Sequence, residues 1–263
     1  MAIIGISGKL SSGKDTVGVI IQFLITNSIR VKRGAAPVSW TAYTDPKNIG
    51  VVNSRNWDES GWEIKKFAYK LKQMVSLMIG IPINDLEKEE VKHSVLGSDW
   101  GYNSILGLST FGNGQMTVRE LLQKFGTNAV RNHVHENAWV NALFVDYKDA
   151  SSLTSNNCFR VDVVGEAVGE FPNWLITDVR FPNEYKAIEN RGGLNIRVNR
   201  PNHPEQPRRV GGTDSQPSVI GKIEHPSERA LDNYKFNYTI DNNGTLEDLI
   251  EKVQGVLADH KIL

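Results

Sequence analysis

A single cysteine in 263 residues leaves no intrachain disulfide to stabilise the chain. That thiol, Cys158, fits a reducing compartment, so the expected location is the cytoplasm. No stretch approaches the roughly 18–20 consecutive apolar residues of a membrane span, and no membrane association is expected. The opening "MAIIGISG" lacks a basic leader and its apolar run stops at Gly5, so it does not read as a secretion signal. Net charge is absent too: 30 Lys plus Arg balance 30 Asp plus Glu. That balance argues against a nucleic-acid or membrane-surface binder, while leaving room for a local basic pocket. There is no internal repeat and no low-complexity run. What is present is a hydrophobic fraction of 40%, enough for a substantial core.

Apolar periodicity alternates between two kinds of segment. Short runs at 2–7 ("AIIGIS"), 62–68 ("WEIKKFA"), 174–179 ("WLITDV"), 194–200 ("LNIRVNR") and 238–244 ("YTIDNNG") read as strands. "PVSWTAYT" at 37–44 is a further strand candidate. Helical spacing marks 14–27, 69–80, 116–126, 136–147, 182–193 and a final helix capped by Thr245. Thr117 and Glu120 form a capping box at the start of the third of these, and Gly126 reads as its end. Strands alternating with helices predict an α/β fold with a mostly parallel sheet covered on both faces. Turn-rich excursions at 30–62, 93–116, 147–172 and 201–228 look inserted into one domain.

The first strand runs into "GISGKLSSGKDT" (5–16), which matches G-x-x-x-x-G-K followed by Asp15 and Thr16. Gly8 and Gly13 let the backbone turn tightly, so that N–H groups at Lys9, Ser11, Ser12 and Gly13 can face a polyphosphate. The following helix adds its positive end, and Lys14 can reach the outer phosphates. Asp15 stands where a hydroxyl is usual. Either it holds magnesium, directly or through water, or it is a first-turn acid and Thr16 meets the phosphate instead.

"TDVRFPNE" (177–184) places Asp178 at the carboxyl edge of a strand, where open α/β sheets bind ligands, with Arg180 two residues on. Arg119 and Gln123 share a helix face, and Arg131 follows. Arginines bind phosphates bidentately, and an amide can read a base edge. Arg208 and Arg209 lie in the Pro- and Gly-rich segment, where a closing lid would need mobile positive charge. His133 and His135 have no further ligand at a zinc spacing, and Cys158 has only Arg160 as a basic neighbour, so neither a zinc site nor a reactive thiol is expected.

"GISGKLSSGKDTV", "KKFAYKLKQ", "MTVRELLQKFGT", "WVNALFVDY", "WLITDVRFPNE", "IRVNRP", "HPSERAL" and "YTIDNNGTLEDLI" occur in this order. Together they resemble the phage-type deoxynucleoside monophosphate kinases, relatives of dephospho-CoA kinase among the P-loop kinases. The resemblance spans most of the chain except the excursions at 30–60 and 93–116. It implies a three-layer P-loop NTPase fold of one domain, with an acceptor-binding helical region at about 69–147 and a lid at about 201–228. It also implies transfer of the ATP γ-phosphate to a dNMP with Mg²⁺. ATP would sit on Gly8–Thr16, with adenine near Asp241–Gly244. Lys14, Asp178 and Arg180 would be catalytic, with Arg208 or Arg209 from the lid. Arg119, Gly126 and Trp139 would form the acceptor site, joined by Gln123 and Arg131. G-K-D-T is usual in this family, so Asp15 is no departure from it. Relatives are commonly homodimers, and the partners are small nucleotides in the cytoplasm, the host's for a phage-encoded chain. Dephospho-CoA kinase or another small-molecule kinase stays open as an alternative, as does a non-catalytic nucleotide-binding protein.

Overall fold

The computed structural model describes residues 2–48, 58–100, 116–148, 171–200 and 229–263. The described chain divides into two units. One takes in residues up to Lys66, from Phe144 to 200, and from 229 onward; the other takes in Phe67–Leu143.

The first unit is built on five parallel strands: β1 (Ile3–Gly8), β2 (Trp62–Lys65), β3 (Asn173–Val179), β4 (Leu194–Asn199) and β5 (Tyr238–Asp241), in the order β2-β3-β1-β4-β5. Every residue of β1 is buried. That suits a central parallel strand with helices over both faces, and explains its unbroken apolar reading. On one face Ile4 and Ile6 join a cluster with α1 (Lys14–Lys32) and α8 (Leu246–Asp259), through Val17, Ile20, Ile21, Leu249, Val253 and Leu257. On the other, α7 (Pro182–Glu189) approaches so closely that a Cβ on Gly5 would meet Ile188 Cδ1 at 2.5 Å. The result is the expected α/β architecture: helix, parallel sheet, helix.

Residues 37–44 do not form the strand that their composition suggested. Ser39 accepts the Ala42 N–H and caps a short helix, α2 (Trp40–Thr44). Helical spacing lets Trp40 and Tyr43 both meet Phe23 edge-on, at 5.3 and 5.5 Å between ring centroids. Aromatic anchoring outweighs local strand preference there. The strand expected over 62–68 is shorter: among the described residues β2 is a sheet edge paired with β3 alone, and a helix begins at Ala68.

The second unit is helical: α3 (Ala68–Ile79), α4 (Glu89–His93), α5 (Val118–Gln123) and all but the last residue of α6 (Ala138–Phe144). Val75, Leu86, Leu96, Val118 and Leu121 form its core. The Thr117–Glu120 capping box starts α5 as expected, with Thr117 Oγ1 accepting from Glu120 N and the Glu120 carboxylate accepting from Thr117 N. Gly126 does not stop the helix. From Lys124 to Val134 the chain widens into a π-helix, with His135 N donating to Val130 O. Gly126 takes no left-handed conformation; it lies buried, and a Cβ there would meet Leu71 of α3 at 2.7 Å. It serves close helix approach rather than helix termination. Among the described residues no helix is long and apolar enough to cross a membrane.

Candidate functional site

The loop between β1 and α1 is held in a conformation that few residues accept. Gly13 has φ +96°, the left-handed region, and N-caps α1. Ser11 also has positive φ, at 60°, which costs an L-residue energy and is characteristic of loops shaped for a ligand. Ser12 N donates to Lys9 O at 3.2 Å, closing a turn within the loop. Gly8 leaves no room for a side chain, since a Cβ would lie 2.7 Å from the Val198 carbonyl oxygen of β4. The backbone is thereby curled over the N-terminus of a 19-residue helix, an end whose dipole favours an anion.

The side chains agree with that polarity. Lys14 is 6% exposed. Ser12 is 2% exposed, and its hydroxyl has no hydrogen-bond partner among the described residues. A buried hydroxyl without a partner is costly unless a ligand completes it. Lys9, Ser11 and Thr16 are exposed along the same loop.

Asp15 is more engaged than the sequence indicated. Its Oδ1 accepts a 2.8 Å hydrogen bond from Thr177 Oγ1 of β3 and lies 3.1 Å from Lys66 Nζ. Partial loss of hydration opposes ionisation of this carboxyl. The charge of Lys66 and the bonds from Thr177 and Lys66 outweigh it, with help from Lys14, so the pKa falls below the ordinary carboxylate value. Asp15 is therefore an anion at neutral pH, and both described contacts use one oxygen. A hard anionic oxygen in the first turn of the helix that follows the loop fits a magnesium ion carried on phosphate. Among the described residues no group of three His, Cys, Asp or Glu gathers as a metal site, so such an ion would complete its shell with phosphate and water.

Asp178 stands at a β-bulge. Gly5 pairs with Ile176 and Ser7 with Val179, so β3 carries one residue more than β1 between the two pairs. Bulges re-aim side chains at sheet ends, and here the half-buried Asp178 falls within one, next to the strand that feeds the loop. Arg180 follows at the start of α7. Its backbone N–H and that of Phe181 donate to the buried Glu184 carboxylate at 2.8 and 3.1 Å.

In the helical unit, Arg119 pairs with Glu89 of α4, while Glu89 Oε1 accepts from Lys92 at 2.9 Å. Partial burial opposes ionisation of Glu89, but Lys92 and Arg119 prevail and lower its pKa. Arg119 Nε is buried and has no hydrogen-bond partner among the described residues. Gln123 ends α5, and Arg131 lies in the π-helix, its guanidinium 3.5 Å from the Glu136 carbonyl oxygen. Trp139 is 5% exposed. Its indole N–H donates to Gly126 O at 2.8 Å, and its ring tilts against Phe125. Trp139→Phe is expected to remove this buried hydrogen bond, lowering stability by about 0.5–1.5 kcal/mol in thermal unfolding. An unchanged Tm would remove the bond from consideration as an anchor. His133 and His135 bond to local backbone, at Asn128 O and Asn137 N. Arg208, Arg209 and Cys158 lie outside the described residues.

Three partners were not singled out from the sequence: Lys66 and Thr177 at Asp15, and Glu89 at Arg119. Each lies far from its partner in the chain. Thr177 and Lys66 did carry a signal, as polar residues at the carboxyl ends of strands.

A sequence model of the family described as deoxynucleotide monophosphate kinase matches residues 2–253. The chain is 24% identical over 145 residues to a protein of Acanthamoeba polyphaga mimivirus named "Putative deoxynucleotide monophosphate kinase". That alignment covers 52% of this chain and 59% of the viral protein.

Proposed function

The chain belongs to the deoxynucleotide monophosphate kinase family, and on that premise we propose that it transfers the γ-phosphate of ATP to a deoxynucleoside monophosphate, giving ADP and a dNDP. The observation that carries this reading is the loop Gly8–Thr16. It combines left-handed Ser11 and Gly13, a buried Lys14 and a buried hydroxyl without a described partner at the N-terminus of α1. Those features suit a nucleoside triphosphate.

Phosphoryl transfer of this kind needs positioning and charge neutralisation more than covalent chemistry. Loop N–H groups and the Ser12 hydroxyl bind the donor phosphates, and Lys14 neutralises the charge that moves to the leaving oxygen. Asp15, fixed by Thr177 and Lys66, would hold Mg²⁺ directly or through water. When bound, that ion would supply positive charge that stabilises the donor phosphates during transfer. Asp178 orients the acceptor phosphate, and Arg180 offsets the charge on the transferring group. In the helical unit Arg119 grips the acceptor phosphate with its guanidinium, and Gln123 and Arg131 lie along the same helical segment. Trp139 holds Gly126 and the π-helix in shape for that nucleotide. Arg208 or Arg209 would add charge when a lid closes.

A panel of dNMPs and NMPs with ATP and Mg²⁺, run beside dephospho-CoA, tests the reading through ADP release and product mass. Transfer to one or more dNMPs is expected. Turnover of dephospho-CoA alone, or ATP binding with no acceptor phosphorylated, would overturn it.

A further inference from the structure

The turn after β5 reaches across β4 to the glycine loop. Asn242 Nδ2 donates to the Ser12 carbonyl oxygen at 2.9 Å, bridging positions 230 residues apart in sequence. The turn is itself fixed from both sides. Asn242 N donates to Asn199 O at the end of β4, at 2.7 Å. Just downstream, Thr245 and Asp248 form the reciprocal capping box of α8, with bonds of 2.8 and 3.2 Å. Asn242 is therefore a firm post against which the loop rests. It stands so close that any Cβ on Gly13 would collide with Nδ2.

The bond has a directional consequence. The Ser12–Gly13 peptide is trans, so its C=O and N–H point in opposite directions. Drawing the Ser12 carbonyl toward Asn242 turns the Gly13 N–H away from it. That N–H heads the orphan donors at the start of α1, the set available to a phosphate. A carboxylate at position 242 would set oxygen against oxygen, and alanine would let the peptide rotate.

We infer that Asn242 is a positioning residue for the donor phosphates: it sets the Ser12–Gly13 peptide so that the Gly13 N–H faces the triphosphate. The inference rests on the reading of this loop as the ATP site. It separates Asn242 from any role in contacting the adenine, which would act on the base and not on the phosphates.

The test uses Asn242→Asp and Asn242→Ala in the full chain. It compares KM for ATP, KM for the dNMP, and inhibition by inorganic tripolyphosphate competing with ATP. A lost hydrogen bond to a charged phosphate predicts that KM for ATP and the tripolyphosphate inhibition constant rise together, by about ten- to a hundredfold, while KM for the dNMP is unchanged. An unchanged KM for ATP overturns the inference. So does a rise for ATP without one for tripolyphosphate, which would assign Asn242 to the base, or an equal rise for the dNMP, which would mean general distortion. The near-isosteric Asn242→Asp carries the test if the alanine variant loses its fold; unfolding of both would make Asn242 a fold-stabilising residue and equally overturn it. Lys14→Ala in the same titrations separates the two levels. If that variant keeps full affinity for ATP and tripolyphosphate, the donor-site reading itself fails. If it loses them and the Asn242 variants do not, only the present inference fails.

Discussion

Lys14→Ala should lower turnover of ATP with a dNMP by about 10²–10³-fold, the usual cost of removing one pre-placed charge-stabilising donor from a reacting centre. The size follows from where Lys14 lies. It is 6% exposed at the first turn of α1, so water cannot replace its ammonium group. The helix dipole at that end disfavours a cation and favours the anion the lysine would meet, so Lys14 placed there is a functional choice rather than a helix-stabilising one. Steady-state ADP release measures the loss, and thermal unfolding checks that the fold persists. Turnover within a few-fold of the parent protein would sink the assignment of the loop.

Gly8→Ala should cost about 100-fold in kcat/KM for ATP, because a small displacement of a positioned phosphate is enough to lose that much. The added Cβ would lie 2.7 Å from the Val198 carbonyl oxygen and against the Ser12 hydroxyl. Val198 is backbone in the adjacent strand and cannot move aside, so the loop must shift instead. Overpacking of this kind also destabilises by about 1–3 kcal/mol, so a lower Tm should accompany the kinetic loss. Gly34→Ala is the natural control. Gly34, unlike Gly8, has a positive φ of 75°, so alanine there adds a local backbone strain, but a Cβ meets nothing within 4 Å and activity should be unchanged. A Gly8→Ala protein with normal kcat/KM for ATP would mean that the loop does not cradle a phosphate.

Much of the framework was legible in the chain itself. The fully buried β1 reads as an apolar run, the α1 face recurs at helical spacing, and the Thr117–Glu120 capping box and the Thr245 cap are written at fixed offsets. Local rules failed where a longer-range contact won. Ser39–Thr44 became a helix because Phe23 offered both Trp40 and Tyr43 a partner. Gly126 reads as a stop, yet its backbone stays helical because Leu71 fills the space its missing side chain leaves. Beyond Lys124 the helix widens, so spacing rules based on 3.6 residues per turn hold for Arg119 and Gln123 but not for Arg131.

The same division runs through the site. The sequence by itself determined the loop's composition, its place between a strand and a helix, and the arginines and acid at the strand and helix ends. Those follow from backbone preference and periodicity, which act over a few residues. Only the tertiary structure decided which groups surround the loop: Thr177 and Lys66 on Asp15, Asn242 on Ser12, and Val198 against Gly8. These contacts arise because the order β2-β3-β1-β4-β5 brings the ends of distant strands beside β1. Strand order is set by burial over the whole sheet, a quantity that no short stretch of the chain contains.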